Sequence, residues 1–370
     1  MISMDIEEKL RLIERNTVEI VTREELKVLL ETNPSPKGYL GYEPSGLFHI
    51  GWMIWARKVK DLIDAGVKFT LLEATWHAYI NDKFGGNMEA IKTTAKYIKH
   101  SLYALGIPVE KIEFIDAEKL VSDPEYWGLV IKSAKNTTLQ RLKRALTIMG
   151  RKTDEAESDS SKLIYPLMQV SDIFYLDLDI ALGGLDQRRA HMLQREIAEK
   201  LNKKKVIAVH TPLLTSLKGV GRAGGGGIRK DDIDQIAELK MSKSKPESTI
   251  LIHDDEGTIK KKIKKAYCPP REVDFNPIIE INRYILFAIE DFELRVKKKG
   301  SNEYLTINSY NELEKLYIED MIHPADLKES TAEALIKILE PVRKYFSQNK
   351  EARELALRVA EYQGLKINLE

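Results

Sequence analysis

Gly38-Tyr39-Leu40-Gly41-Tyr42-Glu43-Pro44-Ser45-Gly46-Leu47-Phe48-His49-Ile50-Gly51-Trp52 governs how the rest of the chain is read. Gly38–Tyr42 is short and β-prone, and the Pro44-Ser45-Gly46 turn ends it. A helix is expected from Ile50 to Ala65, with Gly66 closing it. In an open parallel sheet, ligands bind beyond the carboxyl ends of strands, where helix N-termini offer free N–H groups to anions. His49 stands at such a place and can donate to a phosphate oxygen. Gly51 leaves room for a flat base to lie against the backbone.

Outward from this stretch, strand-like and helix-like segments alternate over the first 230 residues. Phe69–Leu72, Lys111–Ile115 and Val206–Val209 read as further buried strands, and Met88–Leu105, stopped by Gly106, as a long helix. The alternation predicts an α/β fold with a doubly wound parallel sheet. Segments from about Glu125 to Met149 and from Ser161 to Leu176 look helical and interrupt it, the first as part of a helical insertion over about 118–160. Past about residue 255 helical patterns dominate, as in Glu333–Glu340 and Glu351–Arg358. The expected organisation is an α/β catalytic domain at 1–232, a loop-bearing linker at 233–254 and a mainly α-helical domain at 255–370.

The 370 residues carry 58 Lys+Arg against 57 Asp+Glu, a formal charge of +1, so local patches and not the total decide any nucleic-acid contact. With 43% hydrophobic and 31% charged residues the chain can build packed cores, which excludes disordered and collagen-like classes. The single cysteine, Cys268, allows no internal disulfide and no thiolate cluster for structural zinc. No apolar run reaches bilayer-spanning length, and the acidic start Met1–Glu8 lacks the apolar stretch of a signal peptide. The expectation is a soluble cytoplasmic protein. The basic runs Lys203–Lys205, Lys260–Lys265 and Lys297–Lys299 each read as solvated helix ends or loops.

A second motif, Lys240-Met241-Ser242-Lys243-Ser244, follows far downstream. Two lysines and two serines in five loop residues form a cationic clamp suited to charge growing on a pyrophosphate leaving group. Between the motifs, Gly219, Gly221 and Gly224 match G-x-G-x-x-G. That fingerprint needs a strand before it and a helix opening on its last glycine. Ser-Leu-Lys precedes it and more glycines follow, so it reads as a linker.

Tyr165, Gln169 and Asp172 are spaced i, i+4, i+7 and fall on one helix face. Leu163, Ile164, Leu167, Met168, Val170, Ile173 and Phe174 surround them, so an otherwise buried helix carries one polar stripe. Buried polar groups need partners. A polar ligand would supply them; an amphipathic helix wetting the stripe is the plainer alternative.

Together His49-Ile50-Gly51 and Lys240-Met241-Ser242-Lys243-Ser244 resemble the two signatures of class I aminoacyl-tRNA synthetases. The resemblance runs from about Tyr39 to Phe346 and is closest to the archaeal/eukaryotic-type tyrosyl-tRNA synthetases. Gly38–Gly46, Trp76–Tyr79, Tyr165–Asp172, Gly183–Arg188, His323–Lys328 and Ile338–Pro341 carry it. It implies a homodimer of Rossmann-type catalytic domains, each followed by a helical anticodon-binding domain, with L-tyrosine, ATP (with Mg²⁺) and tRNA(Tyr) as partners. Tyr39 and Asp172 then hydrogen-bond the substrate's phenol, while Tyr165, Gln169 and Gln187 hold its α-amino and carboxyl groups. Phenylalanine would leave Tyr39 and Asp172 unsatisfied, which explains its rejection. Asp186 falls near the ATP ribose, or caps the helix expected from Gln187 to Leu201. Arg144, Arg188 and Arg189 match positions that meet the first acceptor-stem base pair; a surface salt-bridge role is open for each. His77, after the strand Phe69–Leu72, faces the ATP phosphates or is a core histidine. Asp326 matches the reader of the first anticodon base, or caps its helix, and Tyr304 is the nearest candidate to stack on that base. Trp52 departs from the signature, which often has a second histidine there.

The resulting reading is ATP-dependent formation of tyrosyl-adenylate and transfer to the terminal adenosine of tRNA(Tyr). Catalysis rests on positioning and charge stabilisation by His49, Lys240 and Lys243, with Ser242, Gly51, His77 and Asp186 around the nucleotide. A tryptophanyl-tRNA synthetase is the nearest rival, disfavoured because an indole offers one N–H donor and no acceptor. A small nucleotidyltransferase and a non-catalytic tRNA-binding paralogue are the others.

Overall fold

The computed structural model describes residues 4–149, 159–220, 232–242 and 246–369. The chain packs as two compact units, one of residues 1–46 and 55–212, the other of residues 47–54 and 213–370. These units follow packing, whereas the segmentation at 232/233 and 254/255 follows motifs and composition.

The first unit is built on six strands: β1 (Glu19–Val21), β2 (Lys37–Tyr42), β3 (Lys68–Glu73), β4 (Ile112–Asp116), β5 (Ile180–Gly184) and β6 (Ile207–Thr211). Their order is β1-β6-β5-β2-β3-β4, parallel throughout except that the edge strand β1 runs antiparallel to β6. The chain goes outward from β2 to β3 and β4, then returns to place β5 on the other side of β2. The β2/β5 seam, with Tyr39 opposite Ala181, is therefore the topological switch point where an α/β sheet holds its ligands. β2, β3, β4 and β6 fall on the strands expected from sequence; β1 and β5 are additional. Helix Met88–Ala104 starts from an Asn87 cap and stops at Leu105-Gly106, as its breaker residues require. The expected long helix after Glu125 is three pieces: Pro124–Lys135, Leu139–Ala145 and a 3₁₀ turn Leu146–Met149. The core draws Leu72 and Ile115 from the sheet together with Tyr126, Met168 and Ile173 from the helices, and it includes the rings of Tyr39 and Tyr165.

The second unit is mainly helical, with helices at Glu256–Lys265, Tyr310–Ile318, Pro324–Gln348 and Lys350–Tyr362. Leu327, Leu335, Leu339, Val342 and Phe346 line the buried stripe of Pro324–Gln348. The unit also holds an antiparallel hairpin, β7 (Leu294–Lys297) with β8 (Tyr304–Ile307), which the sequence reading does not contain.

Candidate active site

Helix Ser161–Tyr175 carries the polar stripe into the core of the first unit, with Pro166 accommodated in its interior. Asp172 is 2% exposed. Its Oδ1 accepts a hydrogen bond from the Tyr126 hydroxyl at 2.7 Å, and its Oδ2 lies 3.1 Å from His77 Nε2. That histidine contact is close but not aligned: neither ring nitrogen of His77 has a hydrogen-bond partner among the described residues. Tyr39, 1% exposed, completes the group. Burial first, and then the negative charge of Asp172, push its phenol well above the ordinary range, so it stays a donor. Its hydroxyl makes no hydrogen bond among the described residues.

Two turns earlier, the Tyr165 hydroxyl donates to Glu43 Oε1 at 2.7 Å, and the ring stands edge-on to His77 at 5.2 Å. Glu43, just beyond the carboxyl end of β2, also accepts from Asn81 Nδ2 at 2.9 Å and lies 3.2 Å from Lys83 Nζ. Gln169 Nε2 donates to Gln187 Oε1 at 3.2 Å, and Gln187 Nε2 donates to the Ile148 carbonyl at 3.2 Å. Gln169 Oε1 is buried with no donor among the described residues, an acceptor suited to an ammonium group. Gly183 makes the close packing possible: a Cβ there would lie 2.9 Å from Gln187 Cβ and 3.0 Å from His191 Cε1. All five residues read from sequence as amino-acid ligands therefore sit on β2, on one helix and just after β5.

Two residues carry two readings each. His77, read as facing the ATP phosphates or as a core histidine, is 2% exposed and lies against Asp172 and Tyr165, because helix Thr75–Ile80 begins directly after β3 and turns it inward. Asp186 does not cap the following helix. It lies in the 3₁₀ turn Leu185–Gln187, and the helix Arg188–Lys200 starts from Gln187 with no side-chain cap.

Two of the three anticipated arginines, Arg188 and Arg189, line a groove of about 400 Å³ with Arg141, Met192, Arg195, Glu196, Glu199 and Lys205; Arg144 does not line it. Arg188 forms a two-point ion pair with Glu19, Nε to Oε2 at 2.8 Å and Nη2 to Oε1 at 2.9 Å. Glu19 also meets His210 Nδ1 at 2.8 Å, and His210 Nε2 meets His191 Nδ1 at 3.0 Å. His210 and Arg188 hold the Glu19 carboxyl down at about 2. Arg189 Nη1 donates to Thr147 Oγ1 at 2.6 Å and to the Arg144 carbonyl at 3.3 Å, while the Arg144 side chain is exposed.

Both signatures lie in the second unit. His49 bridges Leu251 in antiparallel fashion, Ile50 N donates to the Ile250 carbonyl at 3.0 Å, and the 3₁₀ turn Ile50–Trp52 leads into helix Met53–Asp64. Gly51 makes a close fit here, since a Cβ would lie 3.0 Å from the His49 ring and press on it. Trp52 packs its indole against Phe48 and His49, with centroids 5.4 and 5.7 Å apart. Of the second signature, Lys240, Met241 and Ser242 are described; Lys243 and Ser244 lie outside the described residues. Met241 is buried between Lys240 and Ser242, which are half-exposed, as alternation along an extended segment dictates. Thr249 Oγ1 donates to the Ser242 carbonyl at 2.7 Å.

Asp326 is not the cap of its helix. His323 caps Pro324–Gln348, its Nδ1 accepting from Ala325 N at 3.1 Å, and Asp326 is left half-exposed in the first turn. Lys299 N donates to the Met321 carbonyl at 2.9 Å, tying the β7–β8 turn to the segment just before this helix. Tyr304 on β8 is 55% exposed, with the Arg295 guanidinium 4.6 Å from its ring centroid.

Sequence reading missed Glu43, Tyr126, Arg141 and Arg195. Glu43 stands in the opening stretch, and only its place past the end of β2 marks it; Tyr126 carries no local signal at all.

The family described as tRNA synthetases class I (W and Y) matches residues 31–227 and 231–340 of this chain. The tyrosine–tRNA ligase of Aeropyrum pernix is 56% identical over 347 residues, which are 93% of this chain and 94% of that one. The tyrosine–tRNA ligase of Sulfolobus acidocaldarius is 54% identical, over 95% of this chain and 97% of that one. Among solved structures, the tyrosyl-tRNA synthetase from Aeropyrum pernix aligns with a TM-score of 0.86 at 50% identity, covering 97% of this chain and 100% of its own. The tyrosyl-tRNA synthetase from Pyrococcus horikoshii complexed with L-tyrosine gives a TM-score of 0.86 at 39% identity, covering 95% and 99%.

Proposed function

This chain belongs to the class I tRNA synthetases, in the group of the tryptophan and tyrosine enzymes, and from that premise we infer that it is a tyrosine–tRNA ligase. It activates L-tyrosine with ATP and transfers the tyrosyl group to tRNA(Tyr). The tyrosine carboxylate attacks the α-phosphorus of ATP, the bond to the bridging oxygen breaks, and pyrophosphate leaves with that electron pair. The terminal adenosine hydroxyl of the tRNA then attacks the activated carbonyl, releasing AMP.

The observation that carries the choice of tyrosine is the buried polar pair Tyr39 and Asp172. A phenol satisfies both, donating to the carboxylate and accepting from Tyr39. An indole has no acceptor for Tyr39 and phenylalanine has neither group. Tyr165, Gln169 and Gln187 hold the α-amino and carboxyl groups, and the free Gln169 Oε1 supports this. His77 belongs in this reading to the wall of the amino-acid pocket. His49, Gly51, Asp186, Lys240, Ser242 and Lys243 serve ATP, the lysines meeting charge that grows on the leaving pyrophosphate. Among the described residues no group of three or more His, Cys, Asp or Glu side chains is placed to hold a metal. Mg²⁺ is assigned to the triphosphate as part of the substrate.

Arg144, Arg188 and Arg189 meet the acceptor stem, Asp326 the first anticodon base, and Tyr304 offers a ring face for stacking. A homodimer fits the exposed apolar side chains Trp127, Ile131 and Leu139. No helix among the described residues is long and apolar enough to cross a membrane; the cytoplasm is the proposed location. Pyrophosphate exchange into ATP, screened over all twenty amino acids, tests the assignment. Exchange driven by tyrosine alone is the expected result, and exchange driven by tryptophan overturns it.

A further inference from the structure

Segment 214–217 is the support on which the second signature hangs. Met241 N donates to the Leu214 carbonyl at 2.6 Å, Ser216 N to the Leu239 carbonyl at 2.8 Å, and between them Thr215 and Lys240 face one another in an antiparallel bridge. The same segment reaches the first signature, since a Cβ on Gly51 would lie 3.4 Å from Leu214 Cβ. Thr215 is gripped in turn by Glu280 of helix Pro277–Ile281. Its N–H donates to Oε2 at 2.7 Å and its hydroxyl to Oε1 at 2.9 Å. Both carboxylate oxygens thus serve the one residue that stands opposite Lys240.

Glu280 is an expensive choice for that position. It makes no salt bridge among the described residues, and the guanidinium of Arg283 lies instead over the rings of Tyr284 and Tyr310, 5.2 and 4.8 Å from their centroids. Burial pushes the carboxyl up to about 7, against the pull of its hydrogen bonds from Thr215. The side chain is half-buried, and a desolvated acid without an ion partner weakens folding at neutral pH, so stability alone does not account for it.

We propose that Glu280 is a positioning residue for the second signature: its paired hydrogen bonds fix Thr215, and through the Thr215–Lys240 bridge they set where Lys240 stands. Only a carboxylate accepts both Thr215 donors; glutamine accepts one and turns its own N–H groups toward the other. The inference rests on the reading in which Lys240 meets the leaving pyrophosphate, so disorder at this anchor acts on the chemical step and leaves the amino-acid pocket untouched.

The test is tyrosine-dependent pyrophosphate exchange with Glu280→Gln, Thr215→Val, Thr215→Ser and Lys240→Ala, each with a thermal melt. Glu280→Gln and Thr215→Val should lower kcat by about tenfold while KM for tyrosine stays within about twofold. Thr215→Ser keeps the hydroxyl and should retain most of kcat. The Glu280→Gln melt should be no lower than that of the unmodified enzyme. The double variant Lys240→Ala, Glu280→Gln should be little slower than Lys240→Ala alone, as coupled residues require. Unchanged kcat in Glu280→Gln and Thr215→Val, with Lys240→Ala impaired, overturns the positioning role while sparing the function of the lysine. Unchanged kcat in Lys240→Ala overturns the underlying reading instead. A loss of kcat matched by a loss of melting temperature makes Glu280 a structural residue and also rejects the inference.

Discussion

The Tyr126 hydroxyl donates to Asp172 Oδ1 at 2.7 Å, with both side chains buried. Asp172 is thereby oriented before any substrate arrives, and Tyr126 supplies part of the hydrogen bonding that a buried carboxylate needs. In the proposed function the substrate phenol would meet a carboxylate held from one side by Tyr126 and approached from the other by His77.

Tyr126→Phe should therefore raise KM for tyrosine about tenfold, in line with about 1–3 kcal/mol for leaving a buried charged acceptor short of a donor. Pyrophosphate exchange against tyrosine concentration measures it. An unchanged KM would show that Asp172 needs no such support.

Asp172→Ala should abolish tyrosine activation without unfolding the chain, because the loss lies in the pocket. Circular dichroism and thermal melting check the fold, and near-normal exchange in this variant sinks the phenol assignment.

Asp326→Ala should leave exchange intact, since that step needs no tRNA. With His323 holding the cap, its stability should change by no more than about 0.5 kcal/mol. Aminoacylation of tRNA(Tyr) should fall, and a tRNA changed at the first anticodon base should lose its disadvantage. Undiminished discrimination at that base rules Asp326 out as its reader.

Stability should respond to pH with opposite signs at two glutamates. Glu19 has a folded value of about 2, below its ordinary 4.5, so its contribution is complete above 4.5 and disappears as pH falls toward 2. Glu19→Gln should flatten that acid limb. Glu280, at about 7, holds its proton longer in the folded state than in the unfolded one. Its contribution declines as pH rises from 4.5 to 7, by roughly 3 kcal/mol, and Glu280→Gln should remove the decline. Urea unfolding from pH 2 to 8 checks both; parallel curves for Glu280→Gln and the unmodified chain would refute the second.

What could be read in advance follows from where each signal resides. β2 and the stripe on helix Ser161–Tyr175 are periodic within a few residues, and periodicity is local. β5 escaped because Ile180-Ala181-Leu182-Gly183-Gly184 has a single β-branched residue, and β1 because three residues make no pattern. The β7–β8 hairpin was hidden by its lysine-rich turn. Tyr126, Glu43 and Glu280 matter through partners 46, 122 and 65 positions away, so no window of sequence contains the interaction that defines them.

The chain leaves its first packing unit after Gly46, contributes His49-Ile50-Gly51 to the second, and returns at Trp55. Nine residues apart in sequence, Tyr42 and Gly51 consequently answer to different cores. Under the proposed function, the residues around Asp172 and the two signatures therefore fall under separable sets of packing constraints, so that one can be repacked while the other keeps its own support.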